Sequence, residues 1–251
     1  MKKTKIIVPA LGLLLLSTAA SVTGTVAWFA ANASVDATGM QITAKTDSEF
    51  LVISKSNTLG VLKTVELAAP TGQVLPTNLV EGNWVTAAGT STTDGTKDGN
   101  YTNLSITESD NFGQAGDPAK NYYVVDTIYV GLAEGSSVPS TKKLVCSKVT
   151  FTASQNSNLN KALTVGLDVE PSGVPTAFEA KIENNDASGT TANVVTSAAT
   201  TQLIAGSGLS TTAKAIKIVA FFDGDDANCT TANAINLAGI TINLEFSLID
   251  A

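Results

Sequence analysis

The side chains best suited to chemistry gather near residue 225. Phe221-Phe222-Asp223-Gly224-Asp225-Asp226-Ala227-Asn228 places three carboxylates and an amide directly after an apolar run. Clustered hard oxygens suit calcium, which makes Asp223, Asp225, Asp226 and Asn228 candidate ligands. The spacing is not that of an EF-hand loop, because the late Glu ligand is missing. The same residues also suit a plain turn, since Asp and Gly supply turn chemistry. Cys146 and Cys229 form an even pair that would close a disulfide in an exported chain. In a reducing or anaerobic setting they would stay two separate thiols.

Other chemistry fails on residue types. The 251 residues include no His and no Arg, so all 15 basic residues are Lys. Without His there is no side chain that titrates near neutrality by default and no His-ligated zinc. Without Arg there is no bidentate grip on phosphate or guanine, and with a pI near 4.6 nucleic acid is not an expected partner. The chain has no HExxH, GxSxG, P-loop or CxxC motif. Paired carboxylates can hydrolyse glycosides, but such sites sit among aromatic platforms and only 6% of this chain is aromatic. The expectation is a protein that is not an enzyme and needs no cofactor, calcium aside.

The N-terminus reads as a targeting segment. Met1-Lys2-Lys3-Thr4-Lys5 is a basic start, Ile6 to Leu16 is apolar, and Ser17 to Ala20 turns small and polar. That is the layout of a secretory signal peptide, with an apolar run too short for a comfortable membrane span. Small residues permit cleavage after Ala20 or after Ala27. A retained N-terminal anchor is the other reading of this segment.

Gly24-Thr25-Val26-Ala27-Trp28-Phe29-Ala30-Ala31-Asn32, followed by Val35-Asp36-Ala37-Thr38-Gly39-Met40-Gln41-Ile42-Thr43-Ala44, resembles the signal-to-mature junction of the TasA/camelysin-like secreted proteins of Gram-positive bacteria. The likeness covers about 45 residues; beyond it there is only a shared Thr/Ser/Asn-rich β style. It implies processing by a SipW-type signal peptidase after Ala27, with Trp28 as the new N-terminus. It also implies a matrix or fibre protein whose partner is another copy of itself. Some proteins of that family carry a metalloprotease label, which a chain without His cannot support through the usual zinc ligands. The implied organisation is a signal peptide over 1–27, an exposed segment over 28–38 and a β domain over 39–251.

The elements that would position these residues are strands. Leu163, Val165, Leu167 and Val169 alternate with polar or small residues, as do Phe178, Ala180 and Ile182. The clearest run is Ile240, Ile242, Leu244, Phe246 and Leu248, set against Thr241, Asn243, Glu245 and Ser247. Tyr122–Val130 and Ile216–Phe222 are apolar on both faces, as in central strands of a two-layer stack. Leu144–Thr152 breaks alternation, which predicts a bulge. Shorter candidates are Met40–Ala44, Phe50–Ile53, Lys63–Leu67 and Leu104–Thr107. Gly82–Gly99 and Glu108–Lys120 read as long loops or hairpin tips, and short helices have room near Thr231–Leu237 or within Ala187–Leu203. The predicted fold is all-β: a single jelly-roll-like antiparallel β-sandwich of about ten strands.

Two functions follow. The first is a secreted, cell-surface structural subunit of fibres or biofilm matrix, touching the membrane only through its uncleaved leader. Its assembly segment would be Trp28, Phe29, Met40, Ile42 and Ala44. The second is a monomeric carbohydrate-binding or adhesin-like module whose loops carry Trp84, Tyr101 and Phe112.

Overall fold

The structure, a computed structural model, describes residues 41–46, 50–60, 64–66, 76–87, 101–104, 113–114, 117–153, 158–184, 192–195, 201–226, 228–229 and 240–251. Two large sheets carry the fold. The first has the order β13 (Ala192–Val195), β10 (Lys142–Thr152), β16 (Thr241–Asp250), β1 (Gln41–Thr46) and β3 (Thr64–Glu66), with β14 (Ile204–Ala205) also pairing with β10. The second has the order β12 (Ala180–Glu183), β11 (Leu163–Val169), β15 (Lys214–Phe222), β9 (Val124–Leu132) and β2 (Leu51–Ser54). The long strands cross between the sheets: β9 lies in the second, β10 in the first, β11 and β15 in the second and β16 in the first. This is an all-β, sandwich-like fold.

Period-two patterning explains the packing. Ile242, Leu244 and Phe246 of β16 are fully buried, while Thr241, Asn243 and Glu245 between them are only partly so. They share one core with Ile42 and Ala44 of β1, Val149 and Phe151 of β10, and residues of the second sheet such as Val165, Leu167, Ile216, Ile218 and Phe222. Each fully buried aliphatic or Phe side chain contributes roughly 1.5–3 kcal/mol relative to exposure, so this shared face dominates the stability. The bulge expected in β10 is present, where the register against β16 shifts between Cys146 and Lys148. Buried Asn184 ties the sheets at one end. Its amide donates to the Asn160 carbonyl at 2.8 Å, and its oxygen accepts from Asn193 of β13 at 2.6 Å.

The two-layer expectation needs a correction. β4 (Asn78–Val80), β5 (Asn83–Ala87) and β6 (Tyr101–Asn103) form a small antiparallel sheet of their own. Trp84 of β5 packs with Tyr123, Val219 and Phe221 in a second apolar cluster. Val219 and Phe221 alternate with Ile218, Ala220 and Phe222, which belong to the main core. A third layer therefore covers part of the outer face of the second sheet, and β15 is apolar on both faces because both are buried. The connection from β11 to β12 adds to that cover: a Cβ on Gly166 would collide with the Phe178 ring.

Other departures are local. Sixteen strands are described rather than about ten. The excess is short: β4, β5 and β6, the pair β7 (Gly113–Gln114) and β8 (Asp117–Asn121), and β13 and β14. Of the two stretches read as loops or hairpin tips, Gly82–Gly99 holds β5, which pairs antiparallel with β6, and Glu108–Lys120 holds β7 and most of β8, which pair antiparallel with each other. Part of Ala187–Leu203 is the strand β13 rather than a helix. The sandwich is not purely antiparallel either, since β1 runs parallel to β16.

Candidate functional site

The N-terminal strand has a slot in the middle of a sheet. β1 pairs in parallel with β16 from Gln41↔Thr241 to Thr46↔Phe246, and antiparallel with β3 on its other side. Ile42 and Ala44 are fully buried there, beside Ile242 and Leu244. The first and last of the described strands can lie side by side in parallel because no tight turn has to join them. Of the expected assembly residues, Ile42 and Ala44 are thus placed in the core. Trp28, Phe29 and Met40 lie outside the described residues, as do Ala27, the whole leader and the segment 28–38.

The acidic turn lies at the end of β15, where the small third sheet is tied on. The Thr77 N–H donates to the Phe222 carbonyl at 3.0 Å and the Gly224 N–H to the Thr77 carbonyl at 2.8 Å. Asp223 accepts from Lys181 Nζ at 2.7 Å and from the Asp225 backbone N–H at 2.9 Å. Asp225 accepts from the Asn78 side chain at 2.6 Å. Asp226 accepts from both the backbone and the side-chain N–H of Asn228, at 2.6 and 2.9 Å. Each of the three carboxylates is therefore engaged by a donor of the protein, and Asn228 points its amide N–H, not its oxygen, at Asp226. Among the described residues no group of three or more His, Cys, Asp or Glu side chains converges as a metal site would. The geometry is that of a braced turn.

Lys181 is the residue that the sequence did not single out. It stands 42 positions before Asp223 and also meets Glu183 at 3.2 Å. Partial burial disfavours its charge, but the hydrogen bond and charge of Asp223, then of Glu183, outweigh that and hold the ammonium above the usual lysine range. Asn78, 147 positions from Asp225, is the other unforeseen partner. No local pattern couples residues so far apart; the chain brings them together through β12 and the third sheet.

The cysteines are not bonded to each other. Neither is in a disulfide; both are buried and belong to the main core. Burial pushes the Cys146 thiol up to about 12, and its Sγ lies 3.7 Å from the Lys148 carbonyl across the bulge. Each behaves as a small apolar side chain rather than as half of a staple.

The loop aromatics are also reassigned in part. Trp84 is 3% exposed and its indole N–H donates to the Pro175 carbonyl at 2.9 Å, so it is a packing residue and not a ligand platform. Tyr101 opens β6, and Phe112 lies outside the described residues. No protein-family model matches this chain, and no curated protein or solved structure does either.

Proposed function

We propose that this chain is a secreted, non-catalytic structural subunit that builds extracellular fibres or biofilm matrix by exchanging β1 between copies. The observation that carries this reading is the parallel seat of β1 between β16 and β3. Four residues, 47–50, separate β1 from β2 in the other sheet. A strand held in this way makes the same main-chain hydrogen bonds whether it comes from its own chain or from a neighbour. An empty slot would bare the inner face around Ile242 and Leu244, so it has a strong drive to refill. One donor and one acceptor on every copy give a head-to-tail contact, which grows into a filament unless it closes into a ring. The junction resembling the TasA/camelysin-like proteins supports export and processing after Ala27. In this reading the uncleaved leader restrains β1, and cleavage releases it.

The experiment uses the register. Thr43 and Asn243 are paired across β1 and β16, so Thr43→Cys with Asn243→Cys can lock β1 to its own sheet. The native cysteines are buried and do not compete. The protein starting at Trp28 forms filaments in negative stain; the oxidised double variant stays monomeric and resumes assembly on reduction. Filaments from the oxidised, intramolecularly locked protein, or a Trp28-start protein that stays monomeric at high concentration, overturn the proposal.

A further inference from the structure

The β4–β5 hairpin ends in a two-residue tip, with Val80 paired to Asn83. Glu81 and Gly82 have φ of 49° and 80°, both left-handed. This is the backbone of a type I′ turn, where Asn, Asp or Gly is the low-strain choice at the first position. A Glu there is unfavourable, and its carboxylate makes no hydrogen bond or ion pair with the described residues. Its backbone carbonyl alone is engaged, accepting from the Asn83 side chain at 3.2 Å. Strain that contributes nothing to the turn calls for another reason to keep the residue.

The surroundings supply one. Between this tip and residues 176–178 the surface opens into a pocket of about 260 Å³, lined by Asn78, Glu81, Thr176, Phe178 and Lys181 among others. Asn78 and Lys181 are fixed from below by Asp225 and Asp223, at 2.6 and 2.7 Å. An amide carries two N–H groups and an ammonium three, so both retain donors beyond these contacts. Thr176 is exposed, with no described partner for its hydroxyl. The half-buried Phe178 ring adds an apolar wall.

The geometry points to a subsite for one ring of a neutral saccharide. A sugar offers hydroxyls that donate to Glu81 and accept from Asn78, Thr176 and Lys181, while its C–H face packs on an aromatic ring. The pocket is below the size of drug-like sites and near that of one pyranose. An anionic ligand is disfavoured, because Glu81, Glu183 and Asp223 surround a single Lys181 that two of them already neutralise. A purely apolar ligand would strand the polar lining. The subsite does not depend on strand exchange, nor on Trp84, Tyr101 or Phe112.

The test is saturation-transfer NMR on the full-length protein with N-acetylglucosamine, glucose and galactose in turn. At least one sugar receives saturation, with a Kd of about 1 mM, ordinary for a single ring with few contacts. Glu81→Gln and Thr176→Val each weaken that binding, Glu81→Gln by about tenfold because it removes a charge-assisted acceptor. Glu81→Asn relieves the turn, raising Tm by about 2–4 °C while also weakening binding. The proposal fails if none of the three sugars receives saturation, or if binding survives intact in the Gln and Val variants. It fails equally if Glu81→Asn leaves Tm unchanged or lowers it, since the strain argument is then void.

Discussion

Trp84 of β5 donates its indole N–H to the carbonyl of Pro175, 91 positions away in the connection between β11 and β12, at 2.9 Å. The same ring meets Phe221 edge-on at a centroid distance of 5.4 Å and Tyr123 at 4.7 Å. One side chain thus joins the third layer, the crossing connection and the outer face of the second sheet. Trp84→Phe keeps most of the ring but leaves the Pro175 carbonyl without its donor, which costs about 1–3 kcal/mol. Trp84→Ala costs about 3–5 kcal/mol, as for other buried aromatics. Urea denaturation of both variants checks the order; a Trp84→Phe variant as stable as the parent would mean that the hydrogen bond contributes nothing, and equal losses would mean that the ring packing contributes nothing beyond it.

The C-terminal strand gives a second comparison. Phe246 is fully buried opposite Cys146, whereas Asn243 is only partly buried. Phe246→Ala lowers stability by about 3–5 kcal/mol through lost burial and the cavity left behind. Asn243→Ala changes it by less than about 1 kcal/mol, as expected away from the core. Similar Tm shifts for the two would overturn the assignment of faces.

Gly166 and Phe178 make a third. The Phe178 ring occupies the space that a Cβ on Gly166 would take, and the ring stacks near Phe221 at 6.2 Å. Gly166→Ala displaces the ring and costs about 1–3 kcal/mol, although alanine is the better strand residue in the abstract. Gly166→Ala combined with Phe178→Leu recovers part of the loss, and a double-mutant cycle measures the coupling. Purely additive effects would show that the ring does not sit on the glycine.

The thiols give a fourth. Cys146, raised to about 12 by burial, has almost no thiolate at pH 8, and Cys229 is buried as well. Iodoacetamide leaves the native protein unmodified at that pH. In denaturant without reductant, mass spectrometry finds two additions; an unmodified mass there would reveal a disulfide.

Much of this fold is legible in the chain because strand period and burial coincide. β16 alternates cleanly, since one face meets the core, and β15 is apolar on both faces because a layer lies on each side; β11 alternates in sequence, but Thr164 and Gly166 on its other face are buried as well. The third layer itself was not legible. β4, β5 and β6 are three to five residues long, and a Gly- and Thr-rich stretch carries no alternation. Trp84 therefore looked like a loop aromatic, although it anchors a sheet. The parallel seat of β1 was equally hidden, since Gln41–Thr46 alternates in the same way whichever direction its neighbour runs. The acidic turn was visible as a cluster, but its partners Lys181 and Asn78 were not. Composition shows what a cluster can bind, and only the fold shows that each of its three carboxylates accepts a hydrogen bond from the protein.

Asp168 provides a pH test. It lies opposite Lys217 in the β11–β15 register, and Glu179 reaches the same strand by accepting the Val169 N–H at 2.8 Å. Burial comes first, and with the negative charge of Glu179 it raises the Asp168 carboxyl above its ordinary value, against the pull of Lys217. Because the folded carboxyl binds its proton more readily than the unfolded one, ionised Asp168 costs stability above its folded pKa. That cost is relieved as pH falls through the folded pKa, until the unfolded group also protonates near about 3.9. Asp168→Asn removes the ionisation, while Lys217 keeps its hydrogen bond to the Gly173 carbonyl. The variant therefore melts above the parent at pH 7, by a small margin because Asp168 is partly solvated. The margin closes as pH drops below the ordinary carboxylate range. Melting curves from pH 3 to pH 8 decide it: a variant less stable than the parent at pH 7 would mean that the attraction of Lys217 outweighs burial and Glu179 together.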